Sequence, residues 1–363
     1  MNNFGTPSRQ RFTAWLAVAV FAPAVVAAQS RCPPPGPPPP LPDTISPAAT
    51  TVYKQLMARR AHAPPAPTPT TIAEWDAHRA ALERMVAKFD PSLVESLGTS
   101  VTPMTLAAVP VLMVSPKTPD PKRILIYVHG GAFTAFSAKS TLNMAALMAS
   151  KSGMTVYSID YTVAPHAQWR EITDQVIGVY KALLARNHAA ADIGMFGDSA
   201  GGAIVAGSVL KLRDAGAPMP GALVLMSPAT DLGGSGDTYC SLGAADPILS
   251  VATSEPSMAA YAPLAEQKNP YVSPVYGDYG KGFPPTLIQG GTRELLLSGF
   301  VREYQAIEQA GGDAVLDLYE GMPHDFQTLM AGSPESNAAF VAATRFWAVH
   351  LGAHAAKATR HKP

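Results

Sequence analysis

Charge is scarce in this chain and it cancels. Asp, Glu, Lys and Arg make up 15% of 363 residues, and 27 basic side chains stand against 27 acidic ones for a formal net charge of zero. No field of one sign is on hand to gather nucleic acid or an anionic membrane, so a neutral or weakly polar small molecule is the better partner. Cysteine is scarcer still, limited to Cys32 and Cys240. An oxidising compartment would let the two pair, but the sequence does not show that they meet, and paired and unpaired thiols stand as equal readings. A membrane-spanning run is also missing. The apolar stretch from Trp15 to Val26 falls short of the roughly 20 residues needed to span, and Pro23 interrupts it.

That stretch follows Arg9 and Arg11 and ends in Ala27-Ala28-Gln29, the small residues a signal peptidase requires. It predicts a signal peptide over 1–28, cleavage after Ala28, and a periplasmic or secreted protein with no stable membrane span once mature. A proline-rich spacer follows over 29–44. Over 45–95 two helices are expected around a proline-rich break at 63–69. Trp75, Leu82, Met85, Val86 and Phe89 recur at helical spacing there, and 45–95 is read as a helical cap over a pocket in preference to a simple packing helix. The remaining boundaries are a main domain over 96–352 and a tail over 353–363.

Hydrophobic residues reach 47%, enough for a large buried core. In the main domain, 101–114 alternates loosely around Pro103 and Pro110, as short edge strands would. A continuous apolar run at 124–128, and the stretches at 154–159, before Ser199, and at 222–226, 286–289 and 315–319, read as strands. Helical patterns fall between them, near 142–148, 171–186 and 300–310, and a last one carries Phe340, Trp347 and Leu351. Alternating strands and helices imply an α/β fold with a mostly parallel central sheet covered on both faces. Ligands bind such sheets beyond the carboxyl ends of the strands, where each polar motif here falls.

The first motif is Met195-Phe196-Gly197-Asp198-Ser199-Ala200-Gly201-Gly202, a strand, a sharp turn and a helix with serine at the turn. That is the context of a nucleophile elbow; Gly197 and Gly201 allow backbones to approach where a side chain would clash. Alone, the pattern could equally be a helix-capping serine after a glycine turn. A serine hydroxyl needs a base within hydrogen-bond reach and an acid to orient that base. Of the four histidines after Ser199, three lie in or beyond the last helix; His324 follows a strand in Gly321-Met322-Pro323-His324-Asp325-Phe326. Glu294, in the loop after 286–289, is the carboxylate placed to orient it. Asp317, inside a strand, and Asp325, beside the histidine, are its rivals. Developing negative charge on an ester oxygen needs backbone donors. Ala200 supplies one, and His129-Gly130-Gly131-Ala132-Phe133 the others, provided Ala132 takes a negative φ.

Taken together these stretches resemble the hormone-sensitive-lipase group of α/β-hydrolase esterases, bacterial carboxylesterases with an N-terminal helical cap. The matching segments are HGGAF at 129–133, DYTVAP at 160–165, GDSAGG at 197–202, SPATDL at 227–232, GTRELLLS at 291–298 and GMPHDF at 321–326. The resemblance implies a triad of Ser199, Glu294 and His324, oxyanion donors at Gly131, Ala132 and Ala200, and hydrolysis of short- to medium-chain esters. Many members self-associate as homodimers, but no interface is legible in this chain. Two departures stand out: Thr292-Arg293-Glu294 replaces the usual Asp-Pro-Leu, and Thr162 and His166 replace the usual Arg and Glu of the DYRLAPE run, in which Asp160 and Tyr161 read as structural. No His or Cys stands at metal spacing from His166, so neither a metal nor a cofactor is expected. Lactone, polymer-ester or sugar-acetyl hydrolysis on the same triad is the alternative, followed by a non-catalytic binding protein on the same scaffold.

Overall fold

Five apolar residues without a polar interruption, Ile124–Val128, form a strand buried on both faces. In the computed structural model, which describes residues 1, 32, 36–62, 67–86 and 91–352 (side chains at 85, 86 and 91–93 excepted), this strand lies inside an eight-stranded sheet. In chain order the strands are β1 (Thr99–Leu106), β2 (Val109–Pro116), β3 (Ile124–Val128), β4 (Thr155–Ile159), β5 (Ile193–Asp198), β6 (Ala222–Met226), β7 (Thr286–Gly291) and β8 (Ala314–Tyr319). Across the sheet they run β1-β2-β4-β3-β5-β6-β7-β8. The β1–β2 and β2–β4 pairs are antiparallel and the other five are parallel. The α/β-hydrolase architecture expected from the sequence is the one found. One detail differs: β2 is not an edge strand, because β4 pairs with its outer side.

Strand periodicity divides the core in two. Ile126 and Val128 pack on one face with residues of the helices Trp169–Leu184, Ala200–Asp214 and Leu297–Gln309. Leu125 and Tyr127, alternating with them, pack on the other face with Met144, Met148, Phe340 and Trp347 of the helices Leu142–Ser152 and Pro334–His350. Covering both faces is what lets a parallel sheet be apolar throughout. After β3 the chain crosses first to β4 on one side and then to β5 on the other. The carboxyl ends of β3 and β5 therefore border the switch point at which such sheets bind ligands.

The chain from Cys32 onward forms one compact unit. Its helix Pro47–His62 belongs to a third, smaller core in which Ile45, Ala49 and Tyr53 meet Met322, Phe326 and Met330. Arg293 reinforces that seam, donating to the Tyr53 hydroxyl and to the carbonyls of Pro39 and Pro40. Cys32 and Cys240 are joined by a disulfide across 208 positions, which decides the pairing that the sequence left open. The expected signal segment lies outside the described residues.

Glu303 is fully buried on the helix Leu297–Gln309. The Tyr279 hydroxyl lies 2.8 Å from the Pro274 carbonyl and 3.0 Å from Glu303 Oε1, and its single proton can serve only one of them at a time. Burial pushes this carboxyl up to about 8. A carboxyl raised in the folded state contributes stability below its unfolded value and loses it as pH climbs through the folded one. Glu303→Gln keeps a donor and cannot ionise. Its unfolding free energy relative to the parent, measured by urea titration, should therefore rise between pH 5 and 8, by at most about 5 kcal/mol. A difference that stays flat over that range would mean that Glu303 does not hold its proton.

Candidate active site

β5 ends at Asp198 and the helix Ala200–Asp214 begins two residues later, leaving Ser199 alone in the turn at φ 52°, ψ −120°. This strained conformation is held by backbone bonds on both sides. The Ser199 amide donates to the Met226 carbonyl at the end of β6, and the Ser199 carbonyl accepts from Ala229. The glycines around it do what the sequence reading required. A Cβ on Gly197 would come within 2.5 Å of the Gly201 carbonyl, and one on Gly201 within 2.0 Å of the Val128 carbonyl at the end of β3. Neither gap exists in real structures, so each position admits only glycine.

The loop after β3 folds over the serine. Gly130 donates its amide to Asp198 Oδ1, and a Cβ there would stand 3.1 Å from the Ser199 Cβ. Tyr127 Oη donates to the same carboxylate oxygen at 2.6 Å. His129 stacks on Tyr161 with ring centroids 4.2 Å apart, and Tyr161 Oη donates to the His129 carbonyl. Burial lowers the His129 pKa to about 4, so the ring is neutral and Nδ1 donates to the Gly130 carbonyl. Asp160 accepts the Ala138 amide, so the pair Asp160 and Tyr161 braces this loop, as read from the sequence.

Ala132 departs from expectation. Its φ is +51°, not negative, and Phe133 follows at +68°. The cause is a doubling back in which the amides of Thr134 and Ala135 both reach the Gly131 carbonyl, forcing the two residues between them into a left-handed turn. An L-residue tolerates this at a cost of about 1–2 kcal/mol. Gly131, at φ 111°, has no such option, because a Cβ would lie 2.3 Å from the Ala135 carbonyl.

Three loops bring the remaining groups to Ser199. His324 Nε2 lies 2.9 Å from Ser199 Oγ, and Nδ1 lies 3.0 Å from Glu294 Oε2. Both side chains are buried, Glu294 completely. Its second oxygen, Oε1, accepts from Ser227 Oγ at 2.8 Å and from the Gly291 amide. Burial raises the Glu294 carboxyl, and His324 works against that rise. For His324, burial disfavours the charged ring, but Asp325 and Glu294 outweigh it and hold the histidine well above its ordinary range. Of the rival acids, Asp317 sits within β8, accepting from Gln289 and Tyr319. Asp325 faces Nε2 and not Nδ1.

Beside the serine is a cleft of about 290 Å³, open solvent included, where Ala132, Ser199 and Ala200 meet Phe133, Leu249, Met258 and Leu296. Phe133 is backed by Tyr261, stacked on it at 4.1 Å. The wall bearing Ser254 and Met258 is the helix Val251–Tyr261, which sequence reasoning missed. Its residues, VATSEPSMAAY, are small or polar around Pro256 and carry no apolar stripe. Ser227 was missed as well, although it stands first in the SPATDL segment. Trp75 is buried outside this pocket lining, and the Met85 side chain and Phe89 lie outside the described residues. His166 is paired with Asp76 of the helix Ile72–Val86 at 2.6 Å. Among the described residues, no cluster of His, Cys, Asp or Glu is grouped to hold a metal ion.

Comparison with known proteins identifies relatives of this fold. A family profile described as the alpha/beta hydrolase fold matches residues 125–328. An esterase of Acinetobacter venetianus is 32% identical over 225 residues, covering 62% of this chain and 74% of that one. An acetyl-hydrolase of Streptomyces hygroscopicus is 28% identical over 224 residues, covering 62% and 75%. Among solved structures, an esterase of the bacterial hormone-sensitive lipase family superposes with a TM-score of 0.76 at 26% identity, covering 85% of this chain and 99% of that one.

Proposed function

The chain belongs to the α/β-hydrolase family, as a hormone-sensitive-lipase-like carboxylic ester hydrolase, and from that membership we propose that it works through Ser199 by way of an acyl-enzyme. Ser199 Oγ attacks the ester carbonyl while His324 Nε2 takes its proton. Glu294 holds the ring through Nδ1 and stabilises the imidazolium. The amides of Gly131, Ala132 and Ala200 receive the negative charge that develops on the carbonyl oxygen, a backbone role that Ala132 fills from its positive φ and not from the negative one expected. His324 then protonates the leaving alcohol, and a water activated by the same nitrogen releases the acid. The observation that carries this reading is the buried hydrogen-bonded line Glu294–His324–Ser199, ending in a pocket that Ser199 itself lines.

The small pocket supports short to medium acyl chains, with Phe133, Leu249 and Met258 as the apolar contacts. Rates on p-nitrophenyl acetate, butyrate, octanoate and palmitate should be highest for the first two and at least about tenfold lower for palmitate, since the apolar wall stops rewarding added methylenes once it is full. A maximum at palmitate would reject the short-chain reading. Silence on all four from folded protein, together with no fluorophosphonate label on Ser199, would favour a binding protein. Export is proposed from the segment 1–28; N-terminal sequencing of the exported protein should begin at Gln29.

A further inference from the structure

Asp325 is the rival acid that the triad does not use, yet it points at the triad's working nitrogen. Its Oδ2 lies 3.3 Å from His324 Nε2, the nitrogen that also faces Ser199 Oγ at 2.9 Å. The residue is in the left-handed region at φ 53°, where Asp and Asn are the side chains that fit best after glycine. Its amide donates to Ser227 Oγ, which in turn donates to Glu294 Oε1, so one hydroxyl links the Asp325 backbone to the Glu294 carboxylate. Asp325 Oδ1 is buried and finds no hydrogen-bond partner among the described residues, so the Nε2 contact is where this carboxylate is engaged.

We propose that Asp325 is a positioning residue that shares the Nε2 proton of His324 and thereby sets the pH at which the base becomes free to activate Ser199. The inference rests on the mechanism proposed above. Nε2 can take the serine proton only when it carries none. An ionised carboxylate 3.3 Å away favours the imidazolium and gives its Nε2–H an acceptor other than the serine. Freeing the base means losing one proton from the His324–Asp325 pair to solvent, after which Ser199 can donate to the neutral nitrogen. The other groups facing the pair are Glu294 after β7, Asp246 in the loop before the helix Val251–Tyr261, Asp198 at the end of β5, and Tyr127 of β3. The three carboxyl groups favour retention of that proton. Burial and Asp198 push the Asp325 carboxyl up while the imidazolium of His324 pulls it down, so the proton that is lost belongs to the pair as a unit.

The test is the pH profile of kcat/KM on p-nitrophenyl acetate for the parent, Asp325→Asn and Asp325→Gly, with the rate of fluorophosphonate labelling at Ser199 measured alongside. Both substitutions suit a left-handed residue and remove the charge. An opposite charge at this range moves a titration by 1–3 units. The midpoint of the alkaline rise should therefore fall by about one unit or more in both variants. At one unit below the parent's midpoint, each variant should stand about fivefold closer to its own plateau than the parent does. An unmoved midpoint in either folded variant overturns the inference. A parent midpoint at or below about 6.5, the ordinary histidine value, overturns it whatever the variants do. A folded parent that neither turns over esters nor labels at any pH fails the esterase mechanism itself. An active parent with unmoved variants fails this inference alone.

Discussion

Ser199→Ala is expected to lower kcat on p-nitrophenyl acetate by about 10⁵- to 10⁶-fold, the loss that follows when the nucleophile of a serine triad is removed. No other hydroxyl takes its place. Ser227 Oγ is committed to Glu294, and Ser254, which lines the pocket, is hydrogen-bonded to no histidine among the described residues. The fold should survive, because the bonds that hold position 199 run from its backbone amide to Met226 and from Ala229 to its carbonyl, and neither involves the hydroxyl. The measurement pairs kcat with circular dichroism and thermal unfolding. Residual turnover within a hundredfold of the parent, in a folded variant, would reject Ser199 as the nucleophile.

Glu294→Gln carries the next largest effect, a fall in kcat of about 10³- to 10⁴-fold, by analogy with loss of the orienting acid in other serine triads. The reason lies in what surrounds its two oxygens. Oε1 accepts from Ser227 Oγ and the Gly291 amide, so that end of a glutamine must remain the oxygen. The amide nitrogen is then turned toward His324 Nδ1 and donates to it. Nδ1 becomes an acceptor, the ring proton moves to Nε2, and the base is blocked toward Ser199. Glu294→Ala removes the same orientation and leaves a buried gap besides. Rates near the parent's for either variant would pass the orienting role to another carboxylate. Asp325 could not inherit it without turning the imidazole over, because it meets the opposite nitrogen.

Much of the site was legible in the sequence because its requirements are local. Gly197 and Gly201 are dictated by backbone contacts within the turn and at the end of the neighbouring strand, and the Ser-to-helix step is short enough to read from consecutive residues. The buried strands are legible for a similar reason, since β3 and β6 are apolar without interruption and β5 and β7 nearly so. The choice of His324 followed from its place at a strand end. What escaped was either non-periodic or non-local. The pocket wall Val251–Tyr261 lacks an apolar stripe because two serines share its buried side with Met258 and Tyr261, and Pro256 stands within the helix. The φ of Ala132 depends on two amides further along converging on one carbonyl, which no residue preference at 132 announces.

The sequence by itself determined the alternation of strands and helices, the glycine-flanked turn at Ser199 and the place of His324 just after a strand, since these depend on side-chain period and on the space left by a missing Cβ. Only the tertiary structure decided which groups stand across from one another. It paired Cys32 with Cys240 over 208 positions, placed Ser227 beneath Glu294, and set Asp325 against Nε2 while Glu294 took Nδ1. Each of these is a matter of direction and distance between loops from different strand ends. A one-dimensional pattern can place a carboxylate in the right loop. Which nitrogen it reaches is settled by how that loop packs on its neighbours.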